Sequence, residues 1–118
     1  MVRDNYTRVC KLERCIDGDT VELWVDLGLR VWSKQTFRLL AIDTPERGDE
    51  PAFTIAKEGL ARLIKKHSNK DGLFHIITTK KRSFSRWIAT LFSVDGQTCI
   101  NDLMVEEGYA KPYARNNL

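Results

Sequence analysis

The sequence predicts an α+β fold, mainly β: a five-stranded OB-type barrel with two packed helices. Three observations predict it. Five β-patterned runs follow one another with turn residues between them. An amphipathic helix falls between the third and fourth runs, and a second helix follows the fifth. That order of elements is the order of an OB barrel.

Residues 6–16 read as the first strand, and Asp17-Gly18 turns the chain. Residues 19–26 alternate, with Val21, Leu23 and Val25 on one face and Thr20, Glu22, Trp24 and Asp26 on the other. Gly28 marks the next turn, and a long third strand is expected over 30–42. Its last residues, Phe37-Arg38-Leu39-Leu40-Ala41-Ile42, are apolar on both faces, so the helix that follows is expected to cover their outside. Asp49 is the expected N-cap of that helix, with Pro51 in its first turn. Phe53, Ala56, Leu60, Leu63 and Ile64 recur at helical spacing, and Gly59 among them permits close packing. Asn69-Lys70-Asp71-Gly72 closes the helix. A fourth strand over 73–79, a basic loop over 80–85 and a fifth strand over 86–94 follow. Asp95-Gly96 then turns into a helix with Ile100, Leu103 and Met104 as its apolar stripe.

A chain of 118 residues is read as one domain, 1–118, large enough for a modest core without disulfide support. No apolar run approaches the ~18 residues of a membrane span, and Met1–Tyr6 is not a signal peptide. No membrane partner is expected. A cytoplasmic location is favoured for the chain as given, a secreted one if a leader was removed. Cys10, Cys15 and Cys99 have no metal spacing, and on one regular strand Cys10 and Cys15 face opposite ways. The net charge of +3 says little, but its distribution says more. Lys65, Lys66, Lys70, Lys80, Lys81, Arg82 and Arg86 crowd the second half, and Asp17, Asp19, Asp43, Glu46, Asp49 and Glu50 the first. The first set suits gathering a polyanion, the second processing it. A solvated helix end and a basic loop would explain the lysines equally well.

The acids belong to two short runs, Asp17-Gly18-Asp19-Thr20 and Asp43-Thr44-Pro45-Glu46, on either side of a strand carrying Arg38. Crowded carboxylates repel, and a divalent cation holds them ionised. An EF-hand is excluded, because Glu22 stands where that loop needs glycine and Gly28 where it needs glutamate. An arginine inside an apolar strand must reach water or a counter-charge. On a regular strand Arg38 and Asp43 point to opposite faces, so their convergence requires a bulge or strand end near Asp43. Pro45 suits a strand that stops there.

Asp-Gly-Asp-Thr at 17–20, Phe-Arg-Leu-Leu-Ala-Ile-Asp-Thr-Pro-Glu at 37–46, Ser85-Arg86-Trp87-Ile88-Ala89, Ile100-Asn101 and Gly108-Tyr109-Ala110 occur in that order. Together they resemble the staphylococcal nuclease (thermonuclease) family over nearly the whole chain. The resemblance implies a calcium-dependent, sugar-nonspecific nuclease that hydrolyses DNA and RNA, single- or double-stranded, to 3′-phosphates. It implies that Asp19, Asp43 and the main-chain carbonyl of Thr44 hold Ca2+, and that Arg38 and Arg86 bind the scissile phosphate. Glu46 would orient or deprotonate the attacking water, unless metal-bound hydroxide serves instead. Asp17 would shape the turn or support the ligands.

Departures from the pattern limit what carries over. Ser83-Phe84-Ser85 replace Lys-Tyr-Gly, leaving Phe84 as a base-stacking candidate, and Tyr113 falls one residue short of a nucleotide-packing tyrosine. The family's third helix has no counterpart before Leu118, so a partner or second copy could cover the face it leaves. The alternative to an enzyme is a catalytically weak or inactive OB-type nucleic-acid-binding module.

Overall fold

The chain runs β1 (Thr7–Asp17), β2 (Thr20–Asp26), β3 (Trp32–Leu39), β4 (Ile42–Asp43), α1 (Ala52–His67), β5 (Leu73–Thr79), β6 (Trp87–Phe92), α2 (Ile100–Glu106) and β7 (Lys111–Pro112). The computed structural model describes residues 7–79 and 87–113. Five strands close a barrel in the order β1-β2-β3-β6-β5, while β4 and β7 form a separate two-stranded sheet. β3 and β6 run parallel, and the other neighbouring strands of the barrel antiparallel. With two helices outside it, this is the OB-type α+β architecture.

The alternating residues of β2 fill the interior as their period requires. Val21, Leu23 and Val25 meet Phe37 and Leu39 of β3, Phe74 and Ile76 of β5 and Ala89 and Leu91 of β6. β1 departs from strict alternation. Leu12 pairs with Leu23 but Arg14 with Glu22, so Glu13 is an extra residue in the strand. The bulge reverses the parity, and Cys10 and Cys15 both turn into the core rather than facing opposite ways. Burial pushes the Cys15 thiol up to about 11 and raises that of Cys10 as well. Both are protonated packing residues.

The third strand is shorter than the pattern suggests. It spans 32–39 rather than 30–42, and the chain breaks at Leu40-Ala41, where Ala41 has φ +65°. The predicted interruption is real but falls before Asp43, and Ile42–Asp43 then pair with Lys111–Pro112. The cover over this segment also differs from expectation. α1 lies mainly against β1 and α2, and it is α2 that lies against β6 and β4.

α1 begins differently as well. Pro51 occupies the N-cap without a side-chain bond, and Asp49 contributes only its carbonyl, to the Phe53 amide at 2.8 Å. Gly59 faces Tyr109 so closely that a Cβ there would come within 2.7 Å of the ring. The close packing anticipated at Gly59 is therefore against the segment after α2. At the other end of α1, Asn69 Oδ1 accepts the Asp71 and Leu73 amides at 2.9 Å, which closes the turn into β5.

Candidate active site

Asp17 and Asp19 stand at the tight turn between β1 and β2, where Asp17 pairs with Thr20. The Asp17 carboxylate accepts the Asp19 amide at 3.1 Å, a local Asx bond that sets the turn. Gly18 lets this turn press on the 43–46 segment. A Cβ at Gly18 would meet Thr44 Oγ1 at 2.8 Å and Ala56 at 2.9 Å. Asp19 is consequently buried, at 7% exposure. Its Oδ2 accepts the Thr44 amide at 3.1 Å and its Oδ1 the Thr20 hydroxyl at 3.2 Å.

Arg38, next to the last residue of β3, is opposite Thr20 in the ladder. The strand break makes its position possible. Because the chain turns at 40–41, Arg38 Nη1 donates to both the Leu39 carbonyl at 3.1 Å and the Ile42 carbonyl at 2.9 Å. The same nitrogen lies 3.3 Å from Asp19 Oδ2, and Nη2 lies 3.6 Å from Asp43 Oδ1. The Tyr113 ring sits against the guanidinium, 5.8 Å from its centroid. The arginine is thus held from several directions, with only 16% of its side chain exposed, whereas the Asp43 side chain is 56% exposed.

Burial raises the Asp19 carboxyl most, and the hydrogen bond with Asp17 adds to it. Arg38 opposes them, the Asp17 charge raises it further and the Thr44 amide lowers it. The result is a value pushed up to about 6. Burial, helped by Asp17, therefore outweighs the arginine.

A cleft of about 220 Å³ gathers Asp17, Asp19, Thr20, Arg38, Asp43, Thr44, Pro45 and Glu46. A larger groove of about 780 Å³ shares residues 43–46 with it and continues along Arg47–Asp49 and Gly108–Lys111. All the site residues expected from the two acidic runs and Arg38 thus line one cleft, and Tyr113 reaches it through Arg38. Arg86 and Phe84, expected at the rim, lie outside the described residues, as does the basic stretch Lys80–Arg82.

Among the described residues no three His, Cys, Asp or Glu side chains converge as a metal cluster. The donors available are the carboxylates of Asp19 and Asp43 and the carbonyl of Thr44. Thr44 Oγ1 is buried without a hydrogen-bond partner among the described residues. An all-oxygen set beside an orphaned hydroxyl and a carboxyl of raised pKa suits a hard cation such as calcium.

One residue beneath the site was given no role by the sequence, although Ile100-Asn101 is among the segments of the resemblance. Asn101, 3% exposed on α2, accepts the Leu91 amide at 2.9 Å and donates to the Leu40 carbonyl at 3.0 Å and that of Ala89 at 3.3 Å. It fastens the break after β3 to β6, and so fixes where Arg38 and Asp43 meet. A polar residue beside Ile100 in an apolar stripe is a further sequence feature that could have pointed to it.

No curated protein matches this chain significantly. The sequence profile described as staphylococcal nuclease homologue matches residues 36–117, which takes in Arg38, Asp43, Thr44 and Glu46 and more than half of the 118 residues. Closed barrel, matched span and converging acids and arginine agree, and the chain belongs to the staphylococcal nuclease family.

Proposed function

We propose that this protein is a calcium-dependent nuclease that hydrolyses phosphodiester bonds of DNA and RNA without regard to the sugar, leaving 3′-phosphates. The observation that carries the reading is the placement of Arg38. Its guanidinium is fixed by two backbone carbonyls between a buried and an exposed aspartate at the mouth of a small cleft. A phosphate diester drawn to Arg38 meets the guanidinium donors not taken by the two carbonyls, whose positive charge stabilises the charge that grows in the transition state.

Asp19, Asp43 and the Thr44 carbonyl would hold the calcium ion, which supplies positive charge to the phosphate oxygens and acidifies water. Glu46, exposed on the wall of the same cleft, orients the attacking water or takes its proton. The water oxygen bonds to phosphorus, the bond to O5′ breaks, and the products are a 3′-phosphate and a 5′-hydroxyl. Arg86 is proposed as a second phosphate ligand on its sequence position alone. Asp17 holds the turn and keeps Asp19 in place. The Tyr113 ring restrains Arg38 and offers a surface to a nucleotide base. No helix among the described residues is long and apolar enough to cross a membrane, and the proposed partner is nucleic acid.

Plasmid digestion tests the reading. Cleavage is expected with calcium and is expected to be lost with a chelator and in Arg38→Ala and Asp19→Ala. Cleavage that survives chelation sinks the calcium mechanism. Salt-sensitive binding without cleavage makes the protein a binding module instead.

A further inference from the structure

Arg38 does not stand alone on its side of the barrel. Phe37 and Leu39 point into the core, and Ser33 and Gln35 line a cleft at the barrel mouth. By the period of two, Arg38, Thr36, Lys34 and Trp32 therefore share the outer face of β3. The ladder sets Thr20, Glu22, Trp24 and Asp26 of β2 opposite them. The outer face of this ribbon leads directly away from the candidate site. Counting residues at ~3.3 Å each, Lys34 lies roughly 13 Å from Arg38 along the strand and Trp32 roughly 20 Å.

Two tryptophans on one outward face are unusual for a solvated ribbon. Trp24 is held in place, with its indole N–H donated to Glu13 at 2.9 Å and the Lys34 ammonium over its ring, 5.4 Å from the centroid. Trp32 is 40% exposed. Of the acids nearby, Glu22 is neutralised by Arg14 at 3.1 Å, while Glu13 and Asp26 keep their charge and accept the Trp24 indole N–H and the Gly28 amide at 2.9 and 2.8 Å. Among the described residues no carboxylate forms an ion pair with Lys34. The face thus offers a cation held only by the Trp24 ring, and two indoles, in line with the arginine of the cleft.

We propose that the outer face of the β2–β3 ribbon, with Trp24, Lys34 and Trp32, is a binding track for single-stranded nucleic acid running out of the cleavage site. The inference rests on the reading of the Arg38 cleft as a phosphodiester site. A strand engaged at Arg38 continues over the ribbon, where Lys34 takes a backbone phosphate and leaves the Trp24 ring to a base. Trp32 stacks a second base. Every base has a π-face, so such a track binds without sequence preference. A duplex keeps its bases stacked on one another and gains little from the indoles. At the ~3.4 Å rise of a stacked strand, the roughly 13 Å to Lys34 corresponds to about four nucleotides, and to fewer when the strand is extended. The track therefore serves oligonucleotides and not dinucleotides.

Fluorescence anisotropy with labelled oligonucleotides in chelator tests this without cleavage. Both Trp32→Ala and Lys34→Ala alter exposed positions, and matching thermal melts establish that they fold. The wild-type protein is expected to bind a single-stranded dodecamer more tightly than a dinucleotide. Trp32→Ala is expected to weaken the dodecamer by about tenfold, the scale of one lost base stack. Lys34→Ala is expected to flatten the dependence of log K on log salt by about 0.7, one phosphate contact on a single strand. Unchanged dodecamer affinity and salt slope in both variants overturn the track, and the nuclease reading then stands or falls on plasmid digestion. An equal loss on a blunt duplex overturns the single-strand assignment. If no condition gives cleavage but the variants lose dodecamer affinity as stated, the track stands and the nuclease reading fails.

Discussion

Asp19 is the buried carboxylate of the cleft. Its carboxyl lies at about 6, above its ordinary 3.8, because burial and Asp17 outweigh Arg38. The sign of the consequence follows from proton counts. Between about pH 4 and 6 the folded protein holds a proton there that the unfolded chain has released, so stability falls as pH rises through that window. Above it the deficit is present in full. Asp19→Asn keeps the shape and an acceptor for the Thr44 amide while removing the charge. Two units at ~1.4 kcal/mol each, discounted for solvent screening, predict that the chelated variant is more stable at pH 7 by roughly 1–2 kcal/mol. At pH 4 the two proteins are expected to melt together. Melts in chelator across this range check it, and a variant no more stable than wild type at pH 7 refutes the assignment. The same substitution is expected to abolish cleavage, so the residue lowers stability where it serves function.

At the scale of elements, the deciding feature is the break between β3 and β4. Had the strand run on through 40–42, alternation would have put Arg38 and Asp43 on opposite faces. Ala41 at φ +65° and the two carbonyls taken by Arg38 bring them to one cleft. Asn101 of α2 fastens that break to β6 through three hydrogen bonds. Asn101→Ala leaves the buried Leu91 amide and the Leu40 carbonyl without that partner. The expected loss is about 2–4 kcal/mol in urea denaturation, from the removed bonds and the unsatisfied groups left behind. Catalysis is expected to fall as well at temperatures where the variant is still folded, because the Arg38–Asp43 geometry loosens. Wild-type turnover in a destabilised variant would show that α2 supports the fold and not the site. The β2–β3 hairpin is stressed in another way. Leu29 and Arg30 hold φ of +53° and +65° at its tip, and Leu29 is 98% exposed.

At the scale of the whole molecule, the barrel brings together residues 17–20 and 37–46, which no local interaction joins. Calcium held as proposed by both segments would tie the β1–β2 turn to the chain beyond β3, and so couple metal binding to folding. A hundredfold excess over Kd is expected to stabilise the protein by about 2.7 kcal/mol. Calorimetry with calcium and with chelator measures this. Asp43→Asn, at an exposed position that the fold tolerates, is expected to lose most of the gain. An equal calcium shift in that variant would remove Asp43 from the ligand set. Below about pH 6 the gain is expected to fade, because the ion and the proton compete for Asp19.

The sequence by itself determined the order of the five barrel strands and the two helices, the inward residues of β2 and the amphipathic face of α1, and its motif resemblance named the acids and arginine that converge. The strands, helices and their inward faces follow from local periodicity, which acts over a few residues. Only the tertiary structure decided where β3 stops, that a bulge at Glu13 turns both Cys10 and Cys15 inward, and that α2 covers the segment after β3. It also decided that Asn101 fastens the site from below and that Trp24, Lys34 and Trp32 extend the face of Arg38. The physical reason is common to all of them. Bulges, strand breaks and buried polar contacts are set by which distant segments must share one interior, and a one-residue shift in register leaves almost no trace in composition while sending every later side chain to the other face.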